Sequence, residues 1–167
     1  MNKRFSVAIL IFVICSAFSH ALGGRVDVRT VKIYAPAVAR TSRGYIGAVI
    51  EITVTVTGGT GQVYVSTTPL TEVDMQASAR TAALIACQLV NEDFKRYDFY
   101  VRVNSSSLIV GGPSAGAEIT VAIASALKNW EINYSVMMTG MINPDETIGP
   151  VGGIPEKLEA AAEHGVK

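Results

Sequence analysis

The sequence has few of the residues that most often carry redox, metal or histidine chemistry. It holds 2 cysteines and 2 histidines in 167 residues. Cys15 lies in an apolar N-terminal run, so Cys87 has no partner for an internal disulfide in a processed chain. Asp, Glu and His do not cluster at metal-ligand spacing, and a Ser-His-Asp triad would have to use His164. We therefore expect no cofactor, no metal site, and a packed core thiol at Cys87.

Excess charge and nucleotide motifs are also missing. Lys and Arg together equal Asp and Glu at 14 each, and no basic run has interleaved aromatics, which argues against a nucleic-acid partner. The sequence contains no Gly-x-x-x-x-Gly-Lys-Ser/Thr phosphate loop. These residues therefore lack the motif needed to couple ATP hydrolysis to unfolding. With 49% hydrophobic and 17% charged residues, the length fits one well-filled domain, which we place at residues 22–167.

The N-terminus has the pattern of a targeting segment. Lys3 and Arg4 precede an apolar run from Phe5 to Phe18, followed by the small-x-small pattern Ser19-His20-Ala21. Residues 1–21 are therefore predicted to be a signal peptide or membrane anchor, and the protein to be extracytoplasmic, secreted or membrane-anchored. The run of about 14 residues is shorter than the roughly 20 that span a bilayer, but extension to Gly24 leaves an uncleaved anchor open.

The remaining pattern mixes strands and helices and predicts an α+β fold. A hairpin is expected where two runs rich in Val, Ile and Thr flank the turn Gly58-Gly59-Thr60-Gly61. Helical spacing is expected in three later segments. The predicted strands are Val26–Tyr34, Tyr45–Thr57, Gln62–Ser66, Asp98–Val103, Ser135–Thr139 and Thr147–Ile148; the helices are Glu72–Asn91, Ala115–Lys128 and Ile154–His164, with a polar loop at Asn104–Ser107.

A glycine-rich turn presents a serine at the start of a helix. Gly111 and Gly112 allow a sharp turn, Pro113 stiffens it, and the small residues after Ser114 leave space for a substrate carbonyl. The N–H groups of a helix start suit a developing oxyanion, and equally a phosphate. Ser114 is thus a candidate nucleophile, although the same position also fits an ordinary N-cap.

A lysine lies on the apolar side of the last predicted helix. Pro155 fits a first helical position and Gly165 a C-terminal cap. The expected inward stripe is Ile154, Leu158, Ala161 and Ala162, and Lys157 falls within it. Burial would lower the pKa of its amine and make it a general base. The alternative is a lysine at the edge of the stripe that reaches water.

These residues together resemble the proteolytic domain of the Lon (protease La) family of Ser-Lys peptidases. The matching motifs are Gly112-Pro113-Ser114-Ala115-Gly116, Met138-Thr139-Gly140 and Gly149 to Lys157, with weaker similarity at Asp98 to Arg102. The resemblance implies Ser114 as nucleophile, Lys157 as general base and Thr139 as the hydrogen-bonding partner that orients the lysine amine. It also implies a polypeptide substrate, is compatible with a homo-oligomer, and places the family's domain end beyond Lys167, so we expect a C-terminally truncated domain.

The sequence also departs from the pattern of that family. Gly111 and Met141 stand where many members carry acidic residues, and Tyr100 and Arg102 replace histidines. Two function classes follow. The first is an ATP-independent serine endopeptidase acting on unfolded or flexible polypeptides, with backbone N–H groups of Gly112, Ser114 and Ala115 holding the oxyanion. The second is a non-catalytic peptide- or phosphate-binding module; phosphotransfer is a more distant third.

Overall fold

A computed structural model describes residues 28–42, 44–71, 73–110 and 112–166. The predicted targeting segment, residues 1–21, and Gly111 lie outside the described residues. The strands are β1 (Arg29–Thr41), β2 (Gly44–Gly58), β3 (Val63–Thr71), β4 (Tyr97–Val110), β5 (Met141–Ile142) and β6 (Ile148–Gly149). The helices are α1 (Val73–Leu89), α2 (Gly116–Lys128) and α3 (Ile154–Glu163), with 3₁₀ turns at Phe94–Arg96 and Pro113–Ala115.

The larger sheet has the strand order β1-β2-β4-β3. β1 pairs antiparallel with β2, β2 antiparallel with β4, and β3 parallel with β4 through the crossover helix α1. β5 and β6 form a separate antiparallel pair. The described residues therefore form one small domain of mixed strands and helices, as the α+β pattern predicts.

The core lies between the larger sheet and the packed helices α1 and α2. Alternate residues of the central strands point into it, as the two-residue period of a strand requires. Those residues are Ile50, Ile52, Val54 and Val56 on β2, and Phe99, Val101 and Val103 on β4. Cys87 on α1 is fully buried among them, and burial raises the pKa of its thiol to about 12. The prediction of a packed core thiol is confirmed.

The predicted hairpin between β2 and β3 is wrong. β4 lies between these two strands, and the turn that joins them bonds to the start of β4 instead of closing on itself. Asp98 Oδ1 accepts hydrogen bonds from the backbone N–H groups of Thr60 (2.8 Å) and Gln62 (2.9 Å). Gly61 N–H also donates to the Tyr97 carbonyl (2.8 Å). A contact between residues distant in sequence thus decides the pairing that local turn chemistry could not.

Two further local predictions are wrong. The polar stretch Asn104–Ser107, expected as a loop, continues β4. Asn104 has a register partner in both β2 and β3. Ladder pairing on both sides outweighs its low strand propensity. The stretch Ser135–Thr139, expected as a strand, is irregular: Met138 N–H donates to Glu118 on α2, and the Thr139 hydroxyl donates to the Ser114 carbonyl.

The last helix forms where it was predicted, but only part of its predicted inward stripe is buried. Lys157, Ala160 and Ala161 are buried, whereas Leu158 is 65% exposed and Ile154 is 41% exposed. α3 packs chiefly on β1 and β2, so its inward stripe is narrow and made of small residues around the lysine. In the described ranges, no helix is both long and apolar enough to cross a membrane.

Candidate active site

The serine turn follows directly from the carboxyl end of β4. Gly112 has φ of 87°, a left-handed conformation that disfavours side chains and lets the chain turn sharply. Its N–H donates to both carboxylate oxygens of Asp74 in the first turn of α1, at 3.1 Å each. The glycine turn is therefore fixed to a neighbouring helix before Ser114 is reached.

Ser114 does not cap a helix. It lies in the 3₁₀ turn Pro113–Ala115, and neither that turn nor α2 receives a side-chain cap hydrogen bond. Among the described residues, Ser114 Oγ has no hydrogen-bond partner, while its carbonyl accepts two hydrogen bonds. The alternative reading of Ser114 as an ordinary N-cap is therefore wrong. Its half-buried hydroxyl is left available for another role.

Lys157 is only 3% exposed, so the alternative of a lysine reaching water is also wrong. Its amine donates to Thr139 Oγ1 at 2.9 Å. Burial lowers the pKa of Lys157 below its ordinary value of 10.5, and the nearby Glu118 carboxyl partly opposes this shift. The structure therefore holds an amine that loses its proton more readily than a surface lysine.

Thr139 connects the lysine to the serine turn. Its hydroxyl donates to the Ser114 carbonyl at 3.3 Å, and the next residue, Gly140, donates its N–H to the same carbonyl at 2.8 Å. Because the Thr139 proton is used in this way, its oxygen accepts from the lysine amine. The structure thus brings Ser114, Thr139 and Lys157 together, although no hydrogen bond joins Ser114 Oγ directly to Lys157 Nζ.

Ser114 and Lys157 line one open cleft of ≈ 630 Å³. This volume lies in the range of ligand-binding pockets. Its other walls come from the ends of β1 and β2, the glycine turn and the segment leading into α3. These walls consist mainly of Val38, Tyr45, Pro113, Pro150, Val151, Gly152, Gly153 and Pro155. Glu156 also lines the cleft, so Ser114 and Lys157 are not its only polar side chains. A cleft with mainly apolar and glycine walls can admit an extended chain.

The expected oxyanion donors belong to the serine turn and to the residue that precedes it. Gly112, Ser114 and Ala115 are consecutive in the turn apart from Pro113, which has no N–H. The Gly112 N–H is engaged with Asp74, so it would have to leave that carboxylate to hold an oxyanion. The role of these three backbone groups stays a prediction.

The structure places two acidic residues at the site that the sequence pattern did not predict. Asp74 is far from the serine turn along the chain and carries no local signal. Glu118 lies four residues after Ser114, in a helix whose neighbouring positions are apolar, and is 4% exposed. An acid within an apolar stripe, like the lysine on α3, was a signal that could have found Glu118.

The family model and the similar proteins that match this chain all belong to Lon proteases. Residues 29–167 match the family model of the Lon protease (S16) C-terminal proteolytic domain. Lon protease 2 of Syntrophobacter fumaroxidans is 44% identical over 80 residues, 48% of this chain and 10% of that protein. Lon protease of Fervidobacterium nodosum is 36% identical over 96 residues, which cover 55% of this chain and 12% of that protein. Archaeal Lon protease of Thermococcus kodakarensis is 36% identical over 98 residues, which cover 59% of this chain and 15% of that protein. The chain therefore aligns with only a small part of each relative.

Proposed function

Because the chain belongs to the Lon protease (S16) C-terminal proteolytic domain family, we propose that it is a serine endopeptidase with a Ser114-Lys157 dyad. Its substrates are unfolded or flexible polypeptides. The observation that carries this proposal is the buried Lys157 amine, hydrogen-bonded to Thr139 and facing the same cleft as Ser114.

The geometry supports a division of roles among the three residues. In its neutral form the Lys157 amine donates to Thr139 and keeps its lone pair for another proton. That lone pair takes the Ser114 hydroxyl proton as Ser114 Oγ attacks the peptide carbonyl. The lysine then gives the proton to the leaving amine, and a water molecule, activated in the same way, releases the acyl group from Ser114.

The oxyanion formed by this attack needs donors at the serine turn. Backbone N–H groups of Ser114, Ala115 and, once it is released from Asp74, Gly112 are the candidates. Such fixed dipoles stabilise charge that develops in the transition state and need no reorganisation at that moment. Cleavage by this chain is proposed to be ATP-independent, because its sequence has no phosphate loop.

The site of action is proposed from the N-terminal sequence. Residues 1–21 carry the charge and apolar pattern of a signal peptide or membrane anchor, so we place the protein outside the cytoplasm, secreted or membrane-anchored. Fractionation of cells producing the full chain tests this placement. Recovery in the soluble cytoplasmic fraction at full length would contradict it.

An active-site serine probe tests the proposed chemistry. A peptidyl phosphonate should label the folded chain without nucleotide, and peptide mapping by mass spectrometry should place the label on Ser114. Casein digestion without ATP should be lost in proportion to labelling. Labelling at another serine, or a folded chain that neither reacts nor digests casein, would overturn the proposal and leave a non-catalytic binding module.

A further inference from the structure

Glu118 is a buried acid whose two carboxyl oxygens differ in their hydrogen bonding. One carboxyl oxygen, Oε1, accepts a hydrogen bond from the Met138 N–H at 3.1 Å. The other, Oε2, is buried and has no hydrogen-bond partner among the described residues. Glu118 forms no ion pair there either. A carboxylate so placed would be costly, which favours the uncharged acid.

The contact with Met138 matters because of the residue that follows. Thr139 is the hydrogen-bond partner of the Lys157 amine. At the end of the segment 138–140, the Gly140 N–H donates to the Ser114 carbonyl of the serine turn, and the Gly140 carbonyl accepts from the Ala117 N–H at the start of α2 (3.0 Å). At the start of the segment, the hydrogen bond from the Met138 N–H to Glu118 holds the backbone. Removing it frees the peptide that positions Thr139.

The surroundings of Glu118 also set its charge. It lines a second cavity of ≈ 390 Å³ whose walls are largely apolar. The titratable groups facing it are Lys157 on α3, Tyr34 on β1, and Glu131 and Tyr134 on the segment after α2. Burial raises the pKa of Glu118 to about 9, against opposing effects from the Met138 N–H and Lys157. An ionised Glu118 would hold the proton on the Lys157 amine.

We propose that Glu118 is a positioning residue that acts through Thr139 and Lys157: its uncharged carboxyl fixes the Met138 peptide and leaves the lysine amine free of a counter-charge. The inference rests on the proposed function, since it names what keeps the base neutral. It assigns no contact between Glu118 and the substrate.

Two substitutions separate positioning from charge. Glu118→Ala removes the acceptor for the Met138 N–H, and we expect kcat to fall by about 10-fold to 100-fold with a smaller change in KM. Glu118→Gln keeps an oxygen acceptor without ionising and should recover most of that loss. In Glu118→Gln, the apparent pKa of the rising limb of kcat/KM against pH should stay within about half a pH unit of the wild-type value. Glu131→Gln, an exposed acid at the same cavity, is the matched control and should match the wild type.

Carbon-13 NMR of labelled glutamate tests the charge without using activity. The resonance absent from Glu118→Gln should have the shift of a protonated carboxyl at pH 7 and titrate near pH 9. A carboxylate shift at pH 7, a rising limb moved by a full unit or more in Glu118→Gln, or wild-type kcat in Glu118→Ala would each overturn the inference. A wild-type chain without turnover would instead refute the peptidase, and the NMR titration would still decide the state of Glu118.

Discussion

At the scale of the residue, the interior position of Lys157 disfavours the charged form of its amine. Lys157 is 3% exposed as a residue and its amine has one hydroxyl partner, so an ammonium group there is poorly solvated. Burial therefore shifts the amine toward the neutral form that a base requires. Arginine cannot substitute, because a guanidinium keeps its proton throughout the working range of proteins.

Replacing Lys157 by arginine should therefore remove activity. We expect kcat/KM to fall by at least about 100-fold, the lower end of the range for general acid–base catalysis. The wild-type profile should rise with pH through a group titrating below 10.5, since burial lowers the pKa of Lys157. Steady-state rates on a fluorogenic peptide across pH would measure both. Near wild-type rates in Lys157→Arg, with an unchanged profile, would show that Lys157 is not the base.

Ser114→Ala should separate activity from stability with unusual clarity. Because Ser114 Oγ caps no helix, its removal should change the free energy of unfolding by no more than about 0.5 kcal/mol. Removal of a nucleophile should lower kcat/KM by at least about 1,000-fold. Urea unfolding and peptide turnover on the same sample would test this. Thr120→Ala, which loses a buried hydroxyl contact on α2, offers the opposite control, with lower stability and retained turnover.

At the scale of the element, the sequence predicted the helix ranges better than the pairing of the strands. The ranges of α1, α2 and α3 follow from apolar periodicity, and the inward position of Lys157 is confirmed. The apolar stripe predicted for α3 is only partly right, because Ile154 and Leu158 face outward. A helix that docks on a sheet through small residues leaves its larger side chains outside, and periodicity alone cannot reveal this.

The seating of α3 depends on a glycine in β2. A Cβ built at Gly47 would lie 2.0 Å from the Glu156 carbonyl oxygen and 2.9 Å from Ala160 Cβ. Gly47→Ala should therefore push α3 and Lys157 outward and lower kcat by about 10-fold or more, although residue 47 is remote in sequence. Ala48→Ser, the next residue and on the opposite strand face, should behave as wild type. Equal activities of the two variants would show that α3 tolerates the shift.

At the scale of the whole molecule, two buried titratable groups give opposite pH dependences of stability. Glu118 has a folded pKa of about 9, raised above its ordinary 4.5, so the folded chain binds more protons and this contribution is lost as pH rises from 4.5 toward 9. The pKa of Lys157 is lowered in the folded chain, so burying its charged amine reduces the free energy of unfolding at lower pH. This destabilisation disappears as the pH approaches 10.5.

Glu118→Gln should consequently gain in free energy of unfolding over the wild type as the pH is raised toward 9. Lys157→Met should gain over the wild type most at neutral pH and below, and the gain should shrink toward 10.5. Urea titrations at several pH values measure both differences. Parallel pH curves for the wild type and Glu118→Gln would mean that Glu118 has no shifted pKa in the folded chain.

The site shows where prediction from this sequence ends. Ser114 and Lys157 could be selected because each breaks a local pattern, a glycine turn in one case and an apolar stripe in the other. Asp74 could not, because its partner is a backbone N–H on another element. The order of the sheet could not be derived either, since Asp98 ties the turn after β2 to β4. Long-range contacts to backbone groups leave no periodicity in the sequence.

The peripheral packing of α3 has a consequence for local unfolding of the domain. α1 and α2 share the main core with the sheet, whereas α3 rests chiefly on β1 and β2 through two alanines and a lysine. Its amide hydrogens should exchange with deuterium faster than those of α2, through local opening that leaves the core closed. Each opening carries the lysine away from the serine. As temperature rises, Lys157 and Ser114 should therefore separate reversibly before the domain unfolds.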